Sequence, residues 1–393
     1  MSTMSTEDTR STEGTEARGV GGTGIRTGLT LYSLSNEWWS KQYDLDAMLD
    51  RVAADDLGPG IEIVGFQTIR TYPEVTPEFV RYWRDGLERR GLVSSCLSSN
   101  IDVGQPSGRF MTDDEMVDYL SRQIETARLL GFHVIRIQLG ASPTVIERVL
   151  PTAERADVRM GMELHAPEGP LTPAIAPVRE LYARLDSPYV GFVPDFSATM
   201  RALPPGWVAQ CVKSGVPADL IGAMEELWRG EGTTFERYNR WAEFAAARGV
   251  PRKTIDGTLM TFTMFGRQSI EDWREIADDI VHVHGKCYGF DDAGEEPSMD
   301  VPGILGILRD IDYRGFISTE WEGHSYLGPG EIDAFAEVAK QQALIRRTLR
   351  RLAGLLLSRF LRLLGGLLPR LLIGLVSALL TGLLGRLLLS RLP

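Results

Sequence analysis

The sequence predicts an α/β fold, a (β/α)₈ TIM barrel with a helical insertion between strands six and seven. Three observations carry this. Between residues 25 and 340, short apolar runs alternate with longer segments of helical period, eight times over. Polar and titratable residues gather where the runs end, as in barrels whose sites form at the C-terminal mouth of the strands. The rival, a doubly wound open sheet, lacks its mark, because no G-x-G-x-x-G follows the first strand.

The elements follow in order. "TGLTLYSLS" (27–35) reads as strand one, and "DLDAMLDRVAADDLG" as its helix. "GIEIVGFQ" (60–67) is strand two, followed by the helical "PEFVRYWRDGLERRG". "LVSSCLSSN" (92–100) is strand three. The next helix starts at Thr112, with Glu115 three residues on, the spacing of a capping box. "FHVIRIQLG" (132–140) is strand four, and its His133 is expected to be an ordinary core histidine. "VRMGMELH" (158–165) is strand five and "YVGFVPDFS" (189–197) strand six. The insertion, 198–280, holds at least three helical patterns. "VHVHGKCYGF" (281–290) is strand seven and "GFISTEWEGH" (315–324) strand eight. The helix "GEIDAFAEVAKQQALIRRTL" closes the body.

The ends differ from the middle. Residues 1–24 are Ser, Thr, Gly and charge with almost nothing to bury, and are expected to be a disordered tail with no apolar signal-peptide region. From about residue 341 to 393 the chain is Leu, Arg and Gly without one acid. It carries nine Arg, so residues 1–340 hold −11 − 9 = −20 of net charge. Its longest Arg-free stretch, 371–385, is shorter than the roughly 20 residues a membrane span needs. Three readings stay open for it: contact with an anionic membrane surface, a partner-binding helix, or an extension never selected to fold. Cys96, Cys211 and Cys287 have no zinc or redox spacing, so reduced thiols and a cytoplasmic location are expected. The acidic body excludes nucleic acid as a partner.

The chemistry lies at the strand ends. Residues i and i+2 of a strand share a side, so Glu163 and His165 project together from strand five. Strand six brings Asp195, strand seven His282 and His284, and strand eight Glu320, Glu322 and His324. Tyr32, Asn100 and Gln138 end strands one, three and four, and are candidates for binding substrate. Carboxylates meeting in one buried mouth repel each other without a cation. A divalent ion that accepts O and N donors together, Mg²⁺, Mn²⁺ or Co²⁺, meets that need, with Glu163, Asp195, His284 and Glu320 as ligands. Glu62, inside strand two, is expected to form a structural ion pair within the barrel, and His282 to lie one pleat deeper than His284.

In "MELH", "VPDF", "VHVHGK" and "STEWEG", taken in that order, the sequence resembles the xylose-isomerase-like barrels, the sugar isomerases and epimerases, over most of residues 25–340. In "LYSLSNEWW", "GPGIEIVGFQ", "SPYVGFVPDFS" and "HVHGKCYGFD" it looks closest to the catalytic alpha subunits of bacterial C-glycoside deglycosidases. The resemblance implies Mn²⁺, a sugar or glycoside already oxidised to a ketone at C3, and a small beta subunit on a separate chain, with homo- and hetero-oligomers both open. A base would take the C2 proton, and the bond from C1 to the aromatic carbon would then break by β-elimination. His165 is the candidate base, since its ordinary pKa near 6.5 suits proton transfer at neutral pH. Lys286 and His324 are candidates for polarising a substrate hydroxyl or supplying the acid. The alternative is a metal-dependent ketose isomerase or 3-epimerase, in which Glu163 and Glu320 work an enediolate from opposite faces. A three-zinc phosphodiesterase needs more histidines than the chain's five.

Overall fold

A computed structural model describes residues 19–20, 23–101, 108–138 and 140–354. Apart from residues 19, 20, 23 and 24, the N-terminal tail lies outside the described residues, as does the C-terminal tail from residue 355. Among the described residues no helix is long and apolar enough to cross a membrane.

All eight expected strands are present: β1 Arg26–Thr30, β2 Gly60–Val64, β3 Val93–Ser98, β4 Val134–Ile137, β5 Arg159–Leu164, β6 Val190–Pro194, β7 Val283–Cys287 and β8 Phe316–Trp321. They form one parallel sheet in the order β6-β5-β4-β3-β2-β1-β8-β7. The sheet closes on itself through single parallel bridges, Phe192 with Ile280 and Asp195 with His284. That seam explains a glycine. A Cβ on Gly191 would stand 2.2 Å from the Asp279 carbonyl oxygen, so only glycine lets β6 approach residues 279–281. Two expected metal ligands, Asp195 and His284, are thereby register partners across the seam.

Each strand is shorter at its C-terminal end than its run of apolar residues suggested. After β1 the chain enters a 3₁₀ turn, Leu31–Leu34, and after β2 a single helical turn, Gly65–Thr68. Barrel strands must turn outward to reach their helices, and these turns carry Tyr32, Phe66 and Gln67 around the rim. The helix Asp113–Leu130 has the expected capping box: the Thr112 hydroxyl accepts from the Glu115 amide, and the Glu115 carboxylate accepts from the Thr112 amide.

The helical insertion between β6 and β7 is also present, with helices Pro205–Lys213, Ile221–Arg229 and Thr234–Ala246. It packs on buried Trp207, Trp228 and Trp241, whose indole N–H groups donate to Thr261 Oγ1, the Phe265 carbonyl and Thr258 Oγ1. Gln268 Nε2 donates to the Pro167 carbonyl (2.9 Å), tying the insertion to the loop after β5.

Two expectations change. His133 is not in the core: it is exposed, with Nδ1 3.7 Å from Asp157 Oδ2, because it precedes β4 and sits outside the barrel wall. The barrel also does not stop at residue 340. Its last helix runs over 334–354 and buries Leu344, Ile345 and Leu349. Gln342 donates to the Gly28 and Leu57 carbonyls at 3.0 and 2.7 Å. The change in composition at residue 341 therefore falls inside an element of the barrel.

Candidate metal centre and active site

The strand ends bring four donors to one point. Glu163 is the penultimate residue of β5, His284 lies in β7 and Glu320 in β8. Asp195 follows β6, where its Oδ1 caps the short turn Phe196–Ala198 by accepting from the Ser197 amide at 2.7 Å, leaving Oδ2 free to face inward. One donor atom from each of these four residues lies within 4.8 Å of the other three, and all four residues are buried. His284 Nδ1 is 2.9 Å from Glu163 Oε1, 3.0 Å from Glu320 Oε2 and 3.9 Å from Asp195 Oδ2. A ring nitrogen has one hydrogen at most, and it serves Glu163. Asp195 Oδ2 and Glu320 Oε2 are buried and make no well-formed hydrogen bond, meeting only the nitrogens of Lys286 and His284 at 3.1 and 3.0 Å. Three carboxylates around one imidazole nitrogen, two of them with an oxygen held by ion pairing alone, are a donor set that fits a divalent cation.

The electrostatics agree. Burial pushes the Glu163 carboxyl up, but the Arg136 guanidinium and His284 overcome it and hold it below its ordinary range. Burial works against Glu320 too, yet Lys286 and His284 bring it down to about 2. Asp195, the most deeply enclosed of the three, is pushed up by burial despite Lys286. His284 is held charged, well above its usual value, because Glu62 and Glu320 outweigh burial.

Beside the donor set stands Lys286, itself fully buried. Its ammonium reaches Asp195 Oδ2 at 3.1 Å and Glu320 Oε1 at 3.6 Å, and pairs with Glu322. It is also 3.0 Å from His165 Nε2. The other ring nitrogen, His165 Nδ1, faces the Ala166 carbonyl oxygen at 2.8 Å. A carbonyl only accepts, so the hydrogen sits on Nδ1, and the Nε2 lone pair accepts from Lys286. The ring is thus set with its basic nitrogen inward.

A cavity of about 600 Å³ opens over this group. Eight of the ten expected site residues line it: Glu163, His165, His284, Lys286, Glu320, Tyr32, Asn100 and Gln138. Asp195 lies behind Lys286, fully buried. His324 is not on the cavity wall: it stands behind Tyr32, ring centroids 4.7 Å apart, with Nδ1 donating to the Trp321 carbonyl. The Tyr32 phenol is pushed up to about 12 by burial and by Glu322 and Glu320, so it stays a proton donor.

Sequence reasoning missed Arg136. It sits on β4 with its guanidinium 3.4 Å from Glu163 Oε2, and Nε donates to Ser98 Oγ at 3.1 Å. The available signal was a charged residue between Ile135 and Ile137 in the middle of a strand. Phe66 and Met264, an apolar side of the cavity, were missed as well. Glu62 and His282 lie deeper. Glu62 faces His284 Nε2 and His282 Nε2 at 3.0 and 3.1 Å, the ion pair expected of it.

Comparison with known proteins agrees with this geometry. Residues 53–352 match the profile of a family described as the xylose isomerase-like TIM barrel. The chain is 39% identical over 334 residues to a C-glycoside deglycosidase alpha subunit of Arthrobacter globiformis, covering 85% of this chain and 95% of that one. It is 36% identical over 331 residues to a 3'-dehydrocarminate deglycosidase alpha subunit of a Microbacterium species, covering 82% and 94%. Among solved structures, an L-ribulose 3-epimerase shares the fold at 16% identity, with a TM-score of 0.50 over 84% of this chain and 98% of that one.

Proposed function

Since the chain belongs to the xylose isomerase-like TIM-barrel family, with C-glycoside deglycosidase alpha subunits among its relatives, we propose that it is the catalytic subunit of a C-glycoside deglycosidase. The reaction is a lyase-type cleavage of the C–C bond of a 3-oxo-C-glycoside. The observation that carries this reading is the His165 ring, oriented with an unprotonated nitrogen on the cavity wall beside the four-donor cluster. Glu163, Asp195, His284 and Glu320 hold the cation, for which we propose Mn²⁺. When bound, it supplies the positive charge that makes the hydrogen beside a ketone acidic.

The chain's own residues do the rest. His165 Nε2 takes the proton from C2 of the sugar. The electron pair of that C–H bond forms the C1=C2 double bond. The bond from C1 to the aromatic carbon breaks, and its electrons leave with the aglycone. Lys286 gives that carbon a proton, then recovers one from His165 across their 3.0 Å contact. The products are the free aglycone and a 3-oxo sugar unsaturated between C1 and C2. No oxidant is consumed, because the substrate arrives already oxidised at C3. Arg136 holds Glu163, and Tyr32, Asn100 and Gln138 supply hydrogen bonds to the sugar. A small beta subunit on a separate chain completes the enzyme, as the relatives' names suggest. The free thiols Cys96, Cys211 and Cys287 suit the reducing cytoplasm.

A ketose isomerase or 3-epimerase is the second reading. It rests on Glu163 and Glu320, which flank His284 Nδ1 at 2.9 and 3.0 Å. The experiment that separates them is incubation of the Mn²⁺-loaded chain in D₂O with a 3-oxo aryl C-glycoside and, in parallel, with a ketose. NMR reports the fate of the C2 hydrogen, and chromatography reports free aglycone. Loss of the C2 hydrogen together with aglycone release is the expected result. Epimerised ketose with an intact glycoside would replace the first reading by the second.

A further inference from the structure

Glu62 lies beneath the donor cluster, in the middle of β2, with no exposed surface. A carboxylate there is expensive, and an apolar side chain of the same size would be cheaper. Among the described residues no Arg or Lys pairs with it directly. Instead its Oε1 faces His284 Nε2 at 3.0 Å, its Oε2 faces His282 Nε2 at 3.1 Å, and it accepts from the Ser98 hydroxyl. His282 Nε2 is in turn 2.9 Å from Ser318 Oγ. Ser98 Oγ also accepts from Arg136 Nε, and Arg136 reaches Glu163 Oε2. An unbroken chain of contacts therefore runs from Glu62 to two of the four donors. One arm goes straight to His284, and the other passes through Ser98 and Arg136 to Glu163.

The consequence for His284 is specific. A cation can bind Nδ1 only once its hydrogen has left, and the neutral imidazole that remains must then keep its hydrogen on Nε2 for a lone pair to face Glu163, Asp195 and Glu320. Glu62 at 3.0 Å from Nε2 selects that tautomer, because a carboxylate accepts and never donates when ionised. It also adds negative charge behind the ring, which strengthens Nδ1 as a donor. We propose that Glu62 is a positioning residue of the metal centre, fixing His284 directly and Glu163 through Ser98 and Arg136. The inference rests on the cation reading above.

The test is Mn²⁺ affinity by calorimetric titration, using the full chain stripped of metal. Glu62→Gln keeps the shape and removes the charge, and is expected to weaken Mn²⁺ binding by about 10- to 100-fold. Ser98→Ala cuts only the arm to Arg136 and is expected to give a smaller loss. Glu62→Gln binding within about twofold of the wild type would overturn the proposal and leave the cation reading intact. A wild type that binds no Mn²⁺ would overturn both. If Glu62→Gln fails to fold, the wild type loaded with Co²⁺ decides. Its proton NMR spectrum should contain a strongly shifted, slowly exchanging N–H resonance from His284 Nε2, lost when zinc replaces cobalt. Its absence at a site that binds Co²⁺ would overturn the proposal.

Discussion

His165 and Asp195 touch the same ammonium, Lys286 Nζ, at 3.0 and 3.1 Å, yet their expected roles are opposite. Asp195 offers a buried carboxylate oxygen to a cation, whereas His165 offers a lone pair to a substrate proton. Removing each should therefore give distinct failures. Asp195→Ala is expected to lose bound Mn²⁺ while keeping its circular dichroism, as read by elemental analysis. His165→Ala is expected to keep the metal and lose turnover by about 10²- to 10⁴-fold, the usual share of a general base. Full Mn²⁺ occupancy in Asp195→Ala would remove that residue from the centre, and an active His165→Ala would place the base elsewhere. At this scale the sequence was informative where strand period two applied. Glu163 and His165 were legible because residues two apart share a face. Arg136 was not, because its pairing with Glu163 depends on the β4–β5 register, which sets Arg136 opposite Gly161 and which neither strand's sequence announces.

The eight strands were legible as elements because parallel barrel strands, covered on both faces, are near-continuous apolar runs. Their ends were not, because Tyr32, Phe66 and Gln67 are residues a strand also accepts, while the turns that carry them answer to the geometry of leaving the barrel. The last helix shows the same limit more sharply. Leu and Arg dominate from residue 341, and composition set a boundary there, but Leu344, Ile345 and Leu349 belong to the barrel's core. Cutting the chain after residue 340 would remove those three side chains from the core, at about 1.5–3 kcal/mol each. It would also leave the Gly28 and Leu57 carbonyls without Gln342. Against a total stability of about 5–15 kcal/mol, that loss is decisive. A chain ending at residue 354 is expected to stay folded, and one ending at residue 340 to be insoluble or to unfold far below it in a thermal melt. Equal melting temperatures for the two would show that the helix 334–354 contributes little to the barrel.

The whole molecule carries −11, and −20 before the Arg-rich tail, so any divalent cation will collect on its surface. Metal content alone therefore does not identify a centre, and the response of the fold is the stricter measure. A cation held by Glu163, Asp195, His284 and Glu320 clamps β5, β6, β7 and β8, including the β6–β7 seam that single bridges close. Binding confined to the native state stabilises it by about 2.7 kcal/mol at 100 times Kd. For a barrel of this size that is a rise in melting temperature on the order of 5 °C. Mn²⁺ is expected to produce that rise in the EDTA-treated chain, and EDTA to reverse it. Ions spread over the acidic surface bind the unfolded chain as well and would move the melt little. Asp195→Ala is the control, since it changes the surface charge hardly at all and breaks only the centre. A rise in the wild type that vanishes in Asp195→Ala would locate the stabilising cation at the mouth of the barrel. An equal rise in both would mean that Mn²⁺ acts on the surface, and the carboxylates at the strand ends would then be held by Lys286, Arg136 and His284 alone.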